Sequence, residues 1–190
     1  MYILYPPIKT NWSRFCWYEK AFTKEECEKI IELGKQLKTD QAVISIDKTL
    51  NKDIRDSKVS WIKWNQDANW IFEKLSAHAQ DCNNARYNLD LTGYTEELQY
   101  TEYDSHGHYD WHQDFGNNKF SIRKLSQIIL LSDPSEYEGG NLKFFNNKED
   151  FPNTQGTLIC FPSFEMHKVE PVISGNRKSL VAWISGPPFK

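Results

Sequence analysis

The order of apolar and polar residues predicts two helices in the first half of the chain. A capping box at Thr23 and Glu26 predicts the start of the first helix, which we expect to end near Leu37. A second helix is predicted at residues 67–83, where apolar side chains recur at helical spacing. The aromatic-rich residues 15–22 precede the first helix and predict a strand leading into it.

The rest of the pattern is typical of short strands separated by turns. Alternating or apolar segments predict strands at residues 59–64, 87–91, 97–103, 123–132, 142–144, 156–162 and 179–185. Gly139 and Gly140 mark a turn between two of them, because glycine adopts backbone angles that other residues avoid. Helices combined with a run of strands predict an α+β fold that is mainly β.

Length and charge narrow the classes of function. The chain has 190 residues, which suits a single domain with a sizeable core. Its formal net charge is −3 and no block of basic residues occurs, so a nucleic acid partner bound through its phosphates is disfavoured. No run of about eighteen apolar residues occurs, so no membrane partner is predicted. The sequence leaves both a monomer and a homodimer open.

The cysteines and the first residues bear on the cellular compartment. Four cysteines occur, and they show neither the paired spacing of a metal site nor a dense disulfide framework. The N-terminal residues contain no basic region followed by a long apolar run, so no secretion signal is predicted. We therefore expect reduced thiols in a cytoplasmic protein.

Three residues in the second half of the chain carry candidate metal chemistry. His112 and Asp114 are separated by one residue, so a strand through both would place their side chains on one face. His167 follows much later and must come from another strand brought alongside. Two imidazoles and one carboxylate form the facial ligand set of non-haem Fe(II) oxygenases, which leaves other coordination positions open.

A candidate anion anchor follows the second of these histidines. Arg177 lies ten positions after His167 (177 − 167 = 10). Its planar guanidinium suits a carboxylate because it can donate two parallel, charge-assisted hydrogen bonds. An unbroken strand would place Arg177 on the face of His167, but Pro171 and Gly175 predict a turn between them.

The histidines also allow a different metal site. His106, His108 and His112 could bind zinc through three nitrogen donors. This alternative leaves Asp114, His167 and Arg177 without a role. His78 falls on the second predicted helix and is interpreted as a packed or partly exposed helix residue.

The combined motifs resemble a known family. The 2-oxoglutarate- and Fe(II)-dependent dioxygenases share the pattern of His112-x-Asp114, His167 and Arg177, with Glu-Gly-Gly-x-Leu at residues 138–142 between them. Residues 94–187 carry the resemblance, which is to the short prolyl-4-hydroxylase-like branch of bacteria and bacteriophages. It implies a double-stranded β-helix, or cupin-like jelly roll, at residues 91–190. Residues 1–90 would then supply helical support and outer strands of one domain, 1–190.

The resemblance also implies cofactors and the residues that bind them. His112, Asp114 and His167 would hold Fe(II), with 2-oxoglutarate as cosubstrate, O2 as oxidant and ascorbate as a reductant. The residues expected around 2-oxoglutarate are Arg177, Tyr103, Leu130, Leu142 and Val169. Relatives often have a tyrosine at the position of Leu130, and its hydroxyl reaches the far carboxylate, so the leucine here leaves more of that task to Arg177. The carboxylate of Asp114 favours hydroxylation over halogenation.

The substrate follows from the same resemblance. It implies hydroxylation of a prolyl residue in a protein or peptide, with release of succinate and CO2. Tyr109, Arg123 and Trp183 match positions that border the substrate groove, and Arg55 is assigned to a substrate lid at residues 47–56. The alternatives are a free amino acid, another small molecule or a nucleobase as substrate, and a β-sandwich binding module without catalytic activity.

Overall fold

A computed structural model describes residues 13–42, 51–147 and 151–188. Within these residues it contains two α-helices, α1 (Lys24–Gln36) and α2 (Asn69–Cys82). Its strands are β1 (Cys16–Tyr18), β2 (Asp40–Gln41), β3 (Arg55–Asp56), β4 (Lys58–Ile62), β5 (Gly93–Tyr94), β6 (Leu98–Tyr103), β7 (His108–His112), β8 (Arg123–Leu130), β9 (Tyr137–Gly139), β10 (Leu142–Phe144), β11 (Leu158–Pro162), β12 (His167–Val169), β13 (Val172–Gly175) and β14 (Arg177–Ser185).

The first helix begins with the predicted capping box. The Thr23 hydroxyl accepts a hydrogen bond from the backbone N–H of Glu26, and the Glu26 carboxylate accepts one from the backbone N–H of Thr23 at 2.7 Å. These two bonds satisfy N–H groups that have no partner inside the helix. The helix packs against β4, where the Ser60 hydroxyl donates to the carbonyl of Gly34 at 2.8 Å.

The strands form antiparallel sheets. Eight strands make the major sheet in the order β1-β11-β8-β14-β6-β4-β2, with β5 paired to β14. A second sheet has the order β10-β12-β7-β3, and β13 pairs with β9. The prediction of an α+β fold that is mainly β is therefore confirmed for the described residues.

The major sheet separates two apolar cores, and the alternation of side chains along β8 shows how. Leu125 and Ile129 of β8 pack with the two helices on one face. Ile128 and Leu130 pack on the other face with residues of the second sheet. All eight residues of β8 are buried, including the polar Arg123, Lys124, Ser126 and Gln127, and its last three residues are apolar.

Two sequence-based expectations differ from the structure in the first half of the chain. The strand predicted at residues 87–91 is absent, because α2 continues into a π-helix, Asn83–Tyr87, that ends at Asn88 with a φ of 51°. Residues 47–50 of the predicted lid lie outside the described residues. Its later part contains a turn and β3, which pairs with β7 through Arg55 and Tyr109.

The prediction of four reduced thiols is wrong for one pair of cysteines. Cys16 and Cys82 form a disulfide between β1 and the end of α2, while Cys27 and Cys160 are free and buried. The two partners are 66 residues apart, so no local spacing indicates their pairing. Among the described residues, no helix is both long enough and apolar enough to cross a membrane.

Candidate metal centre and cosubstrate pocket

The candidate metal ligands converge at the ends of the two inner strands of the second sheet. His112, the last residue of β7, pairs with His167, the first residue of β12. Asp114 lies in a bend after β7 rather than on the same strand as His112, which corrects the expectation of simple strand alternation. One ligand atom from each of the three residues lies within 4.8 Å of the others. The Asp114 carboxylate is 4.0 Å from Nε2 of His112 and 3.8 Å from Nε2 of His167.

Backbone hydrogen bonds orient both imidazoles. Nδ1 of His112 lies 2.8 Å from the carbonyl of Asp110, and Nδ1 of His167 lies 2.9 Å from the carbonyl of Glu165. A carbonyl only accepts hydrogen bonds, so each Nδ1 carries a proton and each Nε2 is the ring nitrogen left to face the metal site. That arrangement is the one by which outer hydrogen bonds orient histidines on a metal.

The surroundings of His112 and Asp114 keep these two side chains in the protonation states that a metal requires. Burial, followed by repulsion from His167, lowers the pKa of His112 to about 3, so its imidazole is neutral at physiological pH. Burial alone would raise the pKa of Asp114, but the facing imidazoles, the Arg123 guanidinium and a hydrogen bond from Ser126 lower it overall. A neutral imidazole and an ionised carboxylate are the ligand forms of these side chains.

Residues of the major sheet fix Asp114. The Ser126 hydroxyl of β8 donates to Oδ2 of Asp114 at 2.7 Å and lies 2.9 Å from the hydroxyl of Ser163. Nη1 of Arg123 donates to the backbone carbonyl of Asp114 at 3.2 Å. Asp114 is therefore held through both its side chain and its backbone, although it lies outside a strand.

Arg177 lies at the start of β14 beside a cavity of about 260 Å³. Its side chain is 2% exposed, and Nη1 donates to the Ser179 hydroxyl at 3.3 Å. No carboxylate of the described part of the chain forms an ion pair with it. Gly140, at a φ of 62°, makes room for it, since a Cβ there would lie 2.8 Å from Cδ of Arg177. A buried guanidinium without an anionic partner favours an anionic ligand.

The other residues predicted around 2-oxoglutarate lie near this cavity. Leu130 and Leu142 line it together with Arg177. The Tyr103 ring lies 5.3 Å from the Arg177 guanidinium carbon, and Tyr103 pairs with Arg177 across β6 and β14. Val169 pairs with Leu142 across β12 and β10, two residues from His167. These side chains surround Arg177 with apolar and aromatic surface.

Tyr109 and Arg55 extend from the metal ligands in a stack. The Tyr109 ring stacks on the His112 ring with a centroid distance of 3.5 Å, and the Arg55 guanidinium carbon lies 4.4 Å from the Tyr109 ring centroid. Nε of Arg55 donates to the Ser57 hydroxyl at 3.0 Å. Nη2 of Arg55 is buried and has no hydrogen-bond acceptor among the described residues.

Arg123 and Trp183 form a second stack on the other side of Asp114. The guanidinium carbon of Arg123 lies 3.8 Å from the Trp183 ring, and Glu96 accepts two hydrogen bonds from Arg123 at 2.6 Å each. Arg123 is thus fully engaged with neighbouring groups and positions Asp114. The indole N–H of Trp183 is buried and lacks an acceptor within the described ranges.

The alternative zinc site is not assembled. Both ring nitrogens of His108 lie near backbone carbonyls, those of His106 and Asp53, at 3.0 and 3.1 Å. Neither His106 nor His108 belongs to a group of converging metal-ligating side chains in the described parts of the chain. The three-histidine alternative is therefore wrong for this structure.

Sequence reasoning missed several residues of the site. Glu96, in the loop before β6, and Ser163, after β11, contact residues that hold Asp114. Phe161 packs edge-on against the His167 ring at a centroid distance of 4.7 Å. The two polar residues lie in loops without periodicity, so only their tertiary contacts identify them. Phe161 lies in a predicted strand, but its apolar character indicated only burial.

Part of the chain matches a known family of proteins. Residues 98–185 match the profile of the 2OG-Fe(II) oxygenase superfamily. This part of the chain, a little under half of it, is therefore similar to a superfamily whose name specifies Fe(II) and 2-oxoglutarate. The matched residues include the His-Asp-His group and Arg177.

Curated relatives that match part of the chain are PKHD-type hydroxylases. A PKHD-type hydroxylase of Synechococcus sp. (strain CC9902) is 40% identical over 78 residues, which are 40% of this chain and 35% of that relative. The match thus spans about a third of the length of this curated relative.

Two solved structures share the fold. A prolyl-4-hydroxylase of Pseudomonas putida superposes with a TM-score of 0.73 at 18% identity, covering 92% of this chain and 93% of the other. A prolyl hydroxylase of Trichoplax adhaerens, in complex with a hypoxia inducible factor peptide fragment, gives a TM-score of 0.75 at 18% identity, covering 91% and 84%.

The lowered pKa of His112 makes the stability of the metal-free protein depend on pH. Below pH 6.5 the unfolded chain binds a proton at His112 that the folded protein does not bind until about pH 3. The free energy of unfolding therefore falls as the pH drops through this window. Between pH 7 and pH 5 we expect His112 to account for a loss of about 1–2 kcal/mol.

Urea unfolding in the presence of a chelator, at both pH values, measures this contribution. The His112→Gln variant should lose less stability than the wild type, whereas His78→Gln, a change on the partly exposed face of α2, should behave like the wild type. An equal loss in the wild type and His112→Gln would contradict the neutral state assigned to this imidazole.

Proposed function

We propose that this protein is an Fe(II)- and 2-oxoglutarate-dependent dioxygenase that hydroxylates a prolyl residue of a protein or peptide. The observation that carries the proposal is the convergence of His112, Asp114 and His167 within 4.8 Å, in a domain with a cavity lined by Arg177, whose guanidinium has no carboxylate partner among the described residues. We further propose that the two facing sheets form a double-stranded β-helix at residues 91–190, supported by residues 1–90.

The donor set suits Fe(II). Two imidazole nitrogens and a carboxylate on one side of an ion leave the remaining coordination positions for cosubstrate and O2. Their Nδ1 hydrogen bonds already fix the imidazoles, so the ligands need little reorganisation to bind the ion. When bound, Fe(II) couples oxidation of 2-oxoglutarate to succinate and CO2 with hydroxylation of a substrate C–H bond.

Arg177 is the proposed anchor for the far carboxylate of 2-oxoglutarate. It is buried, carries a fixed positive charge and lines a cavity closed on one side by Leu130 and Leu142. Leu130 offers no hydroxyl, so Arg177 is the charged group of the cavity lining, next to the Ser179 hydroxyl and accompanied by Asn141 and Asn153. Apolar walls around one charged group orient a dicarboxylate and exclude water from it.

Unsatisfied donors beside the metal ligands support a peptide substrate. Nη2 of Arg55 and Nε1 of Trp183 are both buried without an acceptor among the described residues. Leaving a buried donor unpaired costs about 1–3 kcal/mol, so a bound acceptor would relieve it. Arg55 is linked to His112 through Tyr109, and Trp183 is linked to Asp114 through Arg123. Carbonyl groups of an extended peptide would suit two such donors on either side of the reacting position.

Turnover tests the central proposal. Purified protein supplied with Fe(II), 2-oxoglutarate, ascorbate and a library of proline-containing peptides should form succinate, and one or more peptides should gain one oxygen atom. Mass spectrometry measures both products. Asp114→Ala and His167→Ala should abolish both, because each removes a metal ligand, while Lys38→Ala, at an exposed position, should retain them.

The outcomes separate the alternatives. Succinate without modification of any proline-containing peptide would support the oxygenase chemistry and contradict the substrate class. No succinate above the level of the Asp114→Ala variant would contradict the proposed function and favour a binding module.

Arg177→Gln tests the cosubstrate anchor. Removing the charged partner of a buried carboxylate costs about 2–5 kcal/mol, so the Kd for 2-oxoglutarate should rise at least about thirtyfold. Calorimetry with Mn(II) in place of Fe(II) measures this affinity without turnover. Lys178→Met, which changes the next residue of the same strand, should bind 2-oxoglutarate like the wild type. An unchanged affinity in Arg177→Gln would reject the anchor.

Arg55→Gln tests the assignment of the buried donors to the peptide. With any peptide identified as a substrate, KM should rise about tenfold or more, because a charged hydrogen bond to the substrate is lost. The Kd for 2-oxoglutarate should stay within about twofold of the wild type. Arg86→Gln removes an exposed arginine and serves as the matched control. An effect on 2-oxoglutarate binding alone would place Arg55 in the cosubstrate site instead.

A further inference from the structure

We propose that Cys16 and Cys82 form a reversible disulfide that fastens β1 to α2 and thereby increases the affinity of the pocket for 2-oxoglutarate. The effect on affinity rests on the function proposed above, whereas the reversible fastening of β1 does not. The thiol chemistry lies on the helix-facing side of the major sheet, away from the candidate metal ligands.

Three sulfur atoms meet at the proposed site. Cys16 of β1, Cys82 at the end of α2 and Cys160 of β11 have their sulfurs within 4.8 Å of one another. Cys16 and Cys160 are direct partners across the antiparallel pair β1–β11. Cys82 approaches from the helix layer and is bonded to Cys16. The bond therefore connects a short edge strand to the helix layer that supports the sheet.

The three sulfurs differ in access. Cys16 is partly exposed, whereas Cys82 and Cys160 are buried. Burial raises the pKa of Cys160 to about 12, which keeps it a protonated thiol and a poor nucleophile. Cys160 also accepts a hydrogen bond from the Gln127 amide at 3.6 Å. Exchange of the disulfide with Cys160 is therefore slow, and Cys16–Cys82 is the pair that opens and closes.

The redox step needs an external partner. When the bond forms, the two thiols lose two protons and two electrons. Hydrogen peroxide accepts them and becomes two molecules of water, and glutathione disulfide accepts them and becomes two molecules of glutathione. A dithiol reductant reverses the step and is itself oxidised to a disulfide.

The opposite face of β1 connects the disulfide to the pocket. Phe15, next to Cys16 in the chain, contacts Phe144 and Phe151 at ring-centroid distances of 5.0 and 4.6 Å. Trp17, on the other side of Cys16, contacts Phe151 at 5.8 Å and pairs with Ile159 across β1 and β11. Phe151 and Ile159 line the same cavity as Arg177.

Noncovalent contacts also hold this part of the chain: the Tyr18 hydroxyl donates to Asp81 of α2 at 2.6 Å, and Arg14 pairs with Glu165 at 2.7 Å. β1 has three residues and lies at the edge of the major sheet, and the disulfide adds a covalent link between this strand and α2.

In the oxidised protein the bond to α2 holds Cys16, and its neighbours Phe15 and Trp17 pack against Phe151 in the cavity wall. In the reduced protein the strand is held by noncovalent contacts without this covalent link. The wall that Phe151 contributes is then less well ordered, and 2-oxoglutarate binds more weakly.

The experiment compares one preparation in two redox states. Metal-free protein is treated with glutathione disulfide or with dithiothreitol, and non-reducing peptide mapping should find Cys16 linked to Cys82 only after oxidation. The oxidised protein should melt at least about 5 °C higher, because the bond restricts the unfolded chain. Its Kd for 2-oxoglutarate, measured by calorimetry with Mn(II), should be at least about fivefold lower.

Cysteine variants provide the controls. Cys16→Ser and Cys82→Ser should show the reduced behaviour under both treatments, whereas Cys27→Ala, which removes a thiol outside the cluster, should respond like the wild type. Equal melting temperatures in the two states, or linkage of Cys160 instead, would overturn the reversible fastening. A shifted melting temperature with equal 2-oxoglutarate affinity would overturn the coupling to the pocket. Failure to bind 2-oxoglutarate in either state would contradict the proposed function and the coupling, and the melting shift would still support the fastening.

Discussion

The antiparallel pairing of His112 with His167 is the contact on which the candidate site depends. It brings two imidazoles from distant parts of the chain to adjacent strands, with their ring centroids 4.2 Å apart. The local backbone then turns each Nδ1 towards a carbonyl two residues earlier, so both Nε2 atoms are free. Asp114 completes the group from a bend, held by Ser126 and Arg123 of β8. The second sheet thus supplies the nitrogen ligands, and the major sheet fixes the carboxylate.

This arrangement places several charged or hydrogen-bonding groups in the interior, where burial is energetically unfavourable. Asp114 and Arg177 are both buried charges, and Arg55 and Trp183 carry buried donors without acceptors among the described residues. Each would be unfavourable in a protein without ligands. A cation bound by His112, Asp114 and His167 would neutralise the Asp114 carboxylate, and a bound dicarboxylate would pair with Arg177. A bound peptide would supply acceptors for the donors of Arg55 and Trp183. The ligands of the proposed reaction therefore account for groups that the fold alone leaves unsatisfied.

Local sequence signals predicted much of the scaffold and the chemical identity of the site. The capping box at Thr23 and the apolar residues 128–131 are signals between near neighbours in the sequence, which is why they were recognisable. The features that sequence reasoning missed depend on contacts between distant segments. Glu96 reaches Arg123 from a loop, Cys82 meets Cys16 only because α2 packs against β1, and Tyr87 completes a π-helix instead of starting a strand. Asp114 had the predicted chemistry, but bonds from β8 rather than strand alternation position it.

The most direct test of this account is an anaerobic titration of the protein with Fe(II) in the presence of 2-oxoglutarate, followed by visible absorption. Chelation of the ion by the keto acid produces a charge-transfer band only when both bind at one site. The account predicts a band that saturates at one Fe(II) per chain in the wild type, is absent in His167→Ala, and requires higher 2-oxoglutarate concentrations in Arg177→Gln. No band in the wild type, or an equal band in His167→Ala, would contradict it.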